Sequence, residues 1–211
     1  MFHNHIYYTD KPILDASFCD GLIHKFNNDD RVSSGIVGKG HKDNGLKKSD
    51  DLHITSAPGY GKYHDHMRNQ LLDVIRDYQN ILEEKIPVYY PLLKDMKFAG
   101  FNMQRTQPGG YYNWHTDEHV MSTGRYRGIT YIIYLNTIHE MGYTEFYDGT
   151  RIQPKQGHAL IFPATWTHVH RGVPPTKELK YIATGWCYYK NFVSSSYSED
   201  NQLKNHPDIF K

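Results

Sequence analysis

From Lys97 onward the chain is cut into short pieces, which limits it to a β-rich fold. Lys97–Gln104 reads as extended, and Pro108-Gly-Gly110 as a turn. Tyr111–Asp117, Gly128–Leu135, Thr144–Tyr147, Arg151–Gln153, His158–Phe162 and Leu179–Tyr189 follow as runs separated by glycine and proline. Runs rich in Ile, Thr and Tyr at such spacing are strands of a sandwich or barrel rather than helices. The sequence before them reads differently. Met67, Leu71, Val74, Ile75, Tyr78 and Leu82 mark one face of a helix over 62–84. Phe18, Leu22 and Phe26 mark another, with Ser17-Phe-Cys-Asp20 as its S-x-x-D start. We expect a mainly β protein, a double-stranded β-helix (jelly roll, cupin-like) with N-terminal helices packed on one sheet.

The expected organisation is a single domain over 1–211. Residues 1–96 form a helical support, 97–190 the jelly-roll core and 191–211 a polar tail. Residues 29–58 are polar and carry Gly35, Gly38, Gly40 and Gly45. They read as a long mobile loop, of the kind that covers a binding site.

Within the β region, His115 and Asp117 are two apart, so on an extended strand both point to the same side. His168-Val-His170 offers a third ligand, and either histidine has the right parity. Two histidines and a carboxylate with open positions form the facial triad of non-haem Fe(II) oxygenases. With 14 histidines in the chain, any single one is weak evidence. On the last strand Lys180, Ile182, Thr184, Trp186 and Tyr188 share a face. If that face is interior, Lys180 is a buried ammonium that needs an anion; if it is exterior, Lys180 is an ordinary solvated residue.

The order of these residues carries a family resemblance. His115-Thr-Asp117, Tyr134-Leu-Asn136, Gly142-Tyr-Thr-Glu-Phe146, Phe162-Pro163 and His170-Arg-Gly-Val-Pro174 through Lys180 and Trp186 resemble the prolyl 4-hydroxylase-like branch of the Fe(II)/2-oxoglutarate-dependent dioxygenases. The likeness covers roughly residues 98–189. It implies His115, Asp117 and His170 as metal ligands and catalytic centre, His170 being preferred to His168 by its spacing to Pro174 and Lys180. It also implies Lys180, Tyr134, Thr184, Tyr112 and Trp186 around the cosubstrate. Arg127 and Trp114 are the candidates for contact with the primary substrate. A tyrosine usual in the family nine or ten positions before the first histidine is absent. Arg105 and Thr106 stand there, and Gln104 is the nearest substitute.

The resemblance further implies Fe(II), 2-oxoglutarate and O2, with ascorbate as a candidate reductant, and hydroxylation of an unactivated C–H bond. A prolyl residue of a peptide or protein is the leading substrate class and a small molecule the other. Asp117 favours hydroxylation over halogenation. Two alternatives compete: a non-enzymatic metal-binding cupin-like protein, and a zinc hydrolase, which gives Lys180 no role. The formal charge of +1 argues against nucleic acid and anionic membranes as partners. Two cysteines, no signal-like N-terminus and no spanning segment point to a reducing, cytoplasmic setting.

Overall fold

A computed structural model describes residues 1–37, 42–86, 96–120 and 125–189; the expected tail lies outside them. Thirteen strands are present among these residues: β1 (Phe2–His3), β2 (Ile6–Tyr8), β3 (Ser33–Ser34), β4 (Asp50–His53), β5 (Lys97–Phe98), β6 (Asn102–Thr106), β7 (Tyr112–His115), β8 (Tyr126–Tyr134), β9 (Thr144–Phe146), β10 (Arg151–Ile152), β11 (Ala159–Pro163), β12 (His170–Gly172) and β13 (Lys180–Tyr189). They form two antiparallel sheets. The larger runs β1-β2-β11-β8-β13-β6-β4-β3, with β5 also on β13, and the smaller runs β10-β9-β12-β7. This is the expected jelly roll.

Strand alternation builds two separate cores. On β8, Ile129, Tyr131 and Ile133 join a cluster with Met67, Leu71 and Tyr78, which places the helices on that outer face. Ile132 and Tyr134, one residue out of phase, join Phe146, Leu160 and Phe162 between the sheets. Helix α2 (Gly61–Lys85) buries Met67, Leu71, Val74, Ile75, Tyr78 and Leu82, the stripe read from sequence. Helix α1 (Ala16–Asn27) buries Cys19, Leu22 and Phe26. Its cap is Asp15 rather than Ser17: the Asp15 carboxylate accepts from Phe18 N at 2.7 Å. A carboxylate at that position satisfies one of the free N–H groups of the first turn.

Two expectations change. The extended run 97–104 is broken at Gly100, whose φ of +99° separates β5 from β6. A Cβ there would meet Thr55 Oγ1 at 2.1 Å, so only glycine fits. Nor is 29–58 one long loop. β3 and β4 pair as a hairpin, and β4 pairs with β6 as part of the larger sheet. Leu52 and Ile54 are buried there. Strand pairing outweighs the polar composition that suggested a loop.

Candidate metal centre and its cavity

Sheet pairing brings the two histidines together. β12 runs antiparallel to β7 with His170 directly opposite His115, and a register shift follows at Gly172. Directly opposed side chains are close neighbours, and the ring centroids lie 4.3 Å apart. Asp117 stands just past the end of β7. Its Oδ1 is 3.8 Å from His115 Nε2, and its Oδ2 is 3.6 Å from His170 Nε2. One ligand atom from each residue falls within 4.8 Å of the others.

The protein holds each of these groups from behind. His115 Nδ1 donates to the Asn113 carbonyl at 2.7 Å, and His170 Nδ1 to the His168 carbonyl at 3.0 Å. A carbonyl can only accept, so this network puts a proton on each Nδ1 and turns each Nε2 toward Asp117. Thr130 Oγ1 donates to Asp117 Oδ2 at 2.8 Å. Burial pulls the His115 pKa down to about 4, and the neighbouring His170 adds to this. Burial alone would raise the Asp117 carboxyl, but His170, His115 and the Thr130 hydrogen bond hold it below the usual range. Two imidazole Nε2 atoms and a carboxylate thus converge on one point. An N,N,O donor set with open positions suits Fe(II).

These groups open on a cavity of about 520 Å³ between the sheets. Lys180 lines it and is 5% exposed. Its parity is therefore interior, which resolves the alternative left open by the sequence. Its ammonium makes no hydrogen bond or ion pair among the described residues, and the Tyr134 ring centroid is 5.8 Å away. Burial pushes its pKa down to about 8. A buried cation without a counter-charge fits an anionic ligand such as a carboxylate.

The other expected residues divide. Thr184 lines the cavity and spends its hydrogen on the Tyr131 carbonyl at 2.9 Å. Tyr112 lines it and stacks on the His115 ring at 3.5 Å between centroids. Trp186 lines it, with its buried Nε1 making no hydrogen bond among the described residues. Arg127 lies 3.5 Å over the Trp186 ring and donates to the Asp117 carbonyl and the Tyr188 hydroxyl. Tyr134 is fully buried but is not part of the cavity wall. Its hydroxyl is hydrogen-bonded to Thr144 Oγ1 at 2.8 Å, and Thr144 is the residue that reaches the wall.

Trp114 also lies outside the cavity. Alternation along β7 turns it away from His115, toward Tyr147 at 5.6 Å and Arg171 at 4.6 Å on the outer face of the smaller sheet. The His168 ring likewise faces elsewhere, bonded to Asn4 O and Thr167, while its carbonyl orients His170.

Sequence reading missed Lys47, Asp51 and Asn102, which line the cavity from the β3–β4 side. Asp51 accepts from Lys47 Nζ at 2.6 Å, Asn102 Nδ2 at 3.0 Å and Ser49 Oγ at 2.7 Å. The i, i+4 spacing of Lys47 and Asp51 was visible, but nothing in a polar glycine-containing stretch marked the pair as buried.

Comparison with known proteins agrees with this picture. Residues 101–188 match the family model of the 2OG-Fe(II) oxygenase superfamily. A PKHD-type hydroxylase of Synechococcus sp. (strain CC9311) is 25% identical over 183 residues, covering 82% of this chain and 74% of that protein. The viral collagen prolyl hydroxylase of Paramecium Bursaria Chlorella virus-1, solved with 2-oxoglutarate, superimposes with a TM-score of 0.64 at 21% identity. That match spans 88% of this chain and 96% of the viral enzyme. A Trichoplax adhaerens prolyl hydroxylase, solved with a peptide fragment of the hypoxia inducible factor oxygen degradation domain, gives 0.65 at 15% identity, over 89% and 84% of the two chains. A Pseudomonas putida prolyl-4-hydroxylase gives 0.60 at 17%, over 86% and 91%. The three solved structures share the fold.

Proposed function

We propose, from the premise that this chain is a 2-oxoglutarate-dependent Fe(II) oxygenase of the prolyl 4-hydroxylase-like kind, that it hydroxylates a prolyl residue of a peptide or protein. The observation that carries the reading is the pairing of two features in one cavity: three side chains whose possible ligand atoms converge on one point, and a buried ammonium with no hydrogen-bond or ion-pair partner among the described residues. His115, Asp117 and His170 are the residues that would hold Fe(II), and Lys180 the one that would pair with the distal carboxylate of 2-oxoglutarate. With both bound, O2 is consumed, 2-oxoglutarate is decarboxylated to succinate and one oxygen atom is delivered to a C–H bond of the substrate.

The protein's own part is positional. The Asn113 and His168 carbonyls fix the two imidazoles as Nε2 ligands. Thr130 fixes one carboxylate oxygen of Asp117. Tyr112 packs flat on His115, and Ile132 and Ile182 form an apolar part of the cavity wall. Arg127, held by Trp186 and the Asp117 carbonyl, presents guanidinium N–H groups beside the metal ligands, where substrate carbonyls would be received.

A prolyl substrate is supported by two of the related enzymes: one is a viral collagen prolyl hydroxylase, and the Trichoplax adhaerens prolyl hydroxylase was solved in complex with a hypoxia inducible factor peptide fragment. Ascorbate is the candidate reductant. A reducing compartment such as the cytoplasm suits the two free, buried cysteines, Cys19 and Cys187, whose thiols burial pushes up to about 12. No helix among the described residues is long and apolar enough to cross a membrane.

The test is a panel of proline-containing peptides and free amino acids, incubated with the protein, Fe(II) and 2-oxoglutarate. A gain of one oxygen atom by mass, matched by succinate and blocked by N-oxalylglycine, is the expected result on a peptide. Oxygen gain only on free amino acids would move the substrate class. Absence of 2-oxoglutarate decarboxylation across the panel, with tight zinc binding, would overturn the reading.

A further inference from the structure

Two residues of the cavity wall each hold a buried polar atom that makes no hydrogen bond among the described residues: Asn102 Oδ1 on β6 and Trp186 Nε1 on β13. Asn102 is 8% exposed. The direction of its amide is fixed from behind. Nδ2 donates to Asp51 Oδ2 at 3.0 Å, and a carboxylate accepts, so Oδ1 is the unmet end. Lys47 Nζ and Ser49 Oγ go to Asp51 as well, and the Thr184 hydroxyl, opposite Asn102 in the sheet register, gives its hydrogen to the Tyr131 carbonyl. An acceptor left unmet in the interior costs free energy, and a ligand N–H or O–H would recover it.

The register puts both residues toward the metal ligands. Trp186 stands opposite Thr130, whose hydroxyl holds Asp117, and Asn102 is level with Thr184, two positions back on the same face. Lys180 lies four residues further back, about 13 Å along the strand. The cosubstrate cannot satisfy Asn102. As a dianion, 2-oxoglutarate carries acceptors and no N–H or O–H, and the same holds for O2. The donor is therefore to be sought in the molecule being oxidised. A peptide backbone supplies an N–H for Asn102 and, close by, a carbonyl for the indole N–H, which can only donate. The prolyl nitrogen has no hydrogen. The N–H nearest a proline ring is that of the next residue, attached to the proline's own carbonyl.

We propose that Asn102 Oδ1 accepts the N–H of the residue following the target proline, while Trp186 Nε1 donates to a carbonyl of the same stretch of substrate backbone. This rests on the reading of the substrate as a prolyl peptide. It makes Asn102 a selector for proline inside a chain. A peptide that ends at the proline would set a carboxylate, an acceptor, against Oδ1 with the Asp51 carboxylate behind it, and is rejected.

Binding to the Zn(II)-loaded protein saturated with N-oxalylglycine tests this without turnover. The probes are acetyl-Ala-Pro-Ala-amide, its depsipeptide with oxygen in place of the N–H after proline, and acetyl-Ala-Pro with a free carboxylate. By calorimetry the wild type is expected to bind the amide roughly 10-fold more tightly than the ester, and the free acid more weakly still. An ester also weakens the adjoining carbonyl, so Asn102→Leu is the reference: it should bind amide and ester alike. Should that variant fold poorly, the three-probe comparison on the wild type still decides. The indole N–H of Trp186, one of three tryptophans and assigned by its loss in Trp186→Phe, should move downfield in the NMR spectrum when the amide binds. Equal binding of amide and ester by the wild type, or a preference that survives in Asn102→Leu, overturns the role of Asn102 even where peptides are hydroxylated. An unmoved indole N–H overturns that of Trp186. If no probe binds and no peptide of the panel is hydroxylated, the prolyl reading itself falls and this assignment with it.

Discussion

Two imidazoles and a carboxylate aimed at one point define the chemistry at the scale of single residues, and each can be tested by substitution. Replacing Asp117 by Asn removes the anion and leaves the two Nε2 acceptors. Co(II) affinity should fall at least roughly 100-fold, and the thermal stabilisation given by saturating metal should vanish. An unchanged titration would mean the metal, if any, binds elsewhere. Lys180 gives a pH signature. Its ammonium has a pKa of about 8 in the folded protein against 10.5 for the free side chain. Between those values the unfolded chain binds the extra proton, so stability of the ligand-free protein rises with pH across that window. Below pH 8 the full penalty, about 3 kcal/mol, is present. Lys180→Met should remove this rise, seen as a flatter denaturation midpoint from pH 7.5 to 10 relative to wild type. 2-Oxoglutarate binding should show the opposite trend, weakening above pH 8 as the free amine loses its proton.

Among the elements, α2 and β13 were legible because their periodicity is unambiguous. Six apolar positions at helical spacing cannot serve any other element, and all six are buried. On β13 alternation correctly grouped Lys180, Ile182, Thr184 and Trp186, all of which line the cavity, although direction could not be read until the neighbouring strands were in place. β4 was illegible. Only Leu52 in Asp50–His53 is apolar, and its strand state is imposed by pairing with β6, a partner 51 positions away in Asn102 and Asp51. Trp114 was misread for a related reason: an aromatic next to a ligand on a strand must face away from it. Packing of α2 supports the larger sheet from outside and should be separable from chemistry. Leu71→Ala, at a fully buried site, is expected to cost about 2–5 kcal/mol in urea denaturation while Co(II) affinity at low temperature stays at the wild-type value. Coupled loss of both would show that the helix layer shapes the centre directly.

For the molecule as a whole, the cavity needs the edges of both sheets held at a fixed distance, and residues 44–53 provide the connection. On one side β4 pairs with β6. On the other, Lys48 N donates to Tyr111 O and Asn113 N to Leu46 O, which ties the same segment to the strand carrying His115. The Lys47–Asp51 pair lies at this junction with side chains 4% and 11% exposed, and the Lys47 ammonium sits 5.2 Å from the Tyr112 ring that covers His115. Gly35 packs against it so closely that a Cβ would meet Ser49 Oγ at 2.6 Å. A buried pair of this kind adds little net stability over an apolar substitute, yet losing one member strands the other charge. Asp51→Ala should therefore destabilise the protein by about 3–5 kcal/mol, whereas Lys47→Met combined with Asp51→Leu should recover most of that loss. The double variant restores packing but not the polar tie, so its Co(II) affinity should still fall short of wild type because Tyr112 and His115 lose their lateral support. A double-mutant cycle read by both urea midpoint and Co(II) titration decides it: recovery of stability together with full metal affinity would reduce the pair to a packing role, and failure to recover stability would mean the charges themselves hold the two sheets in register.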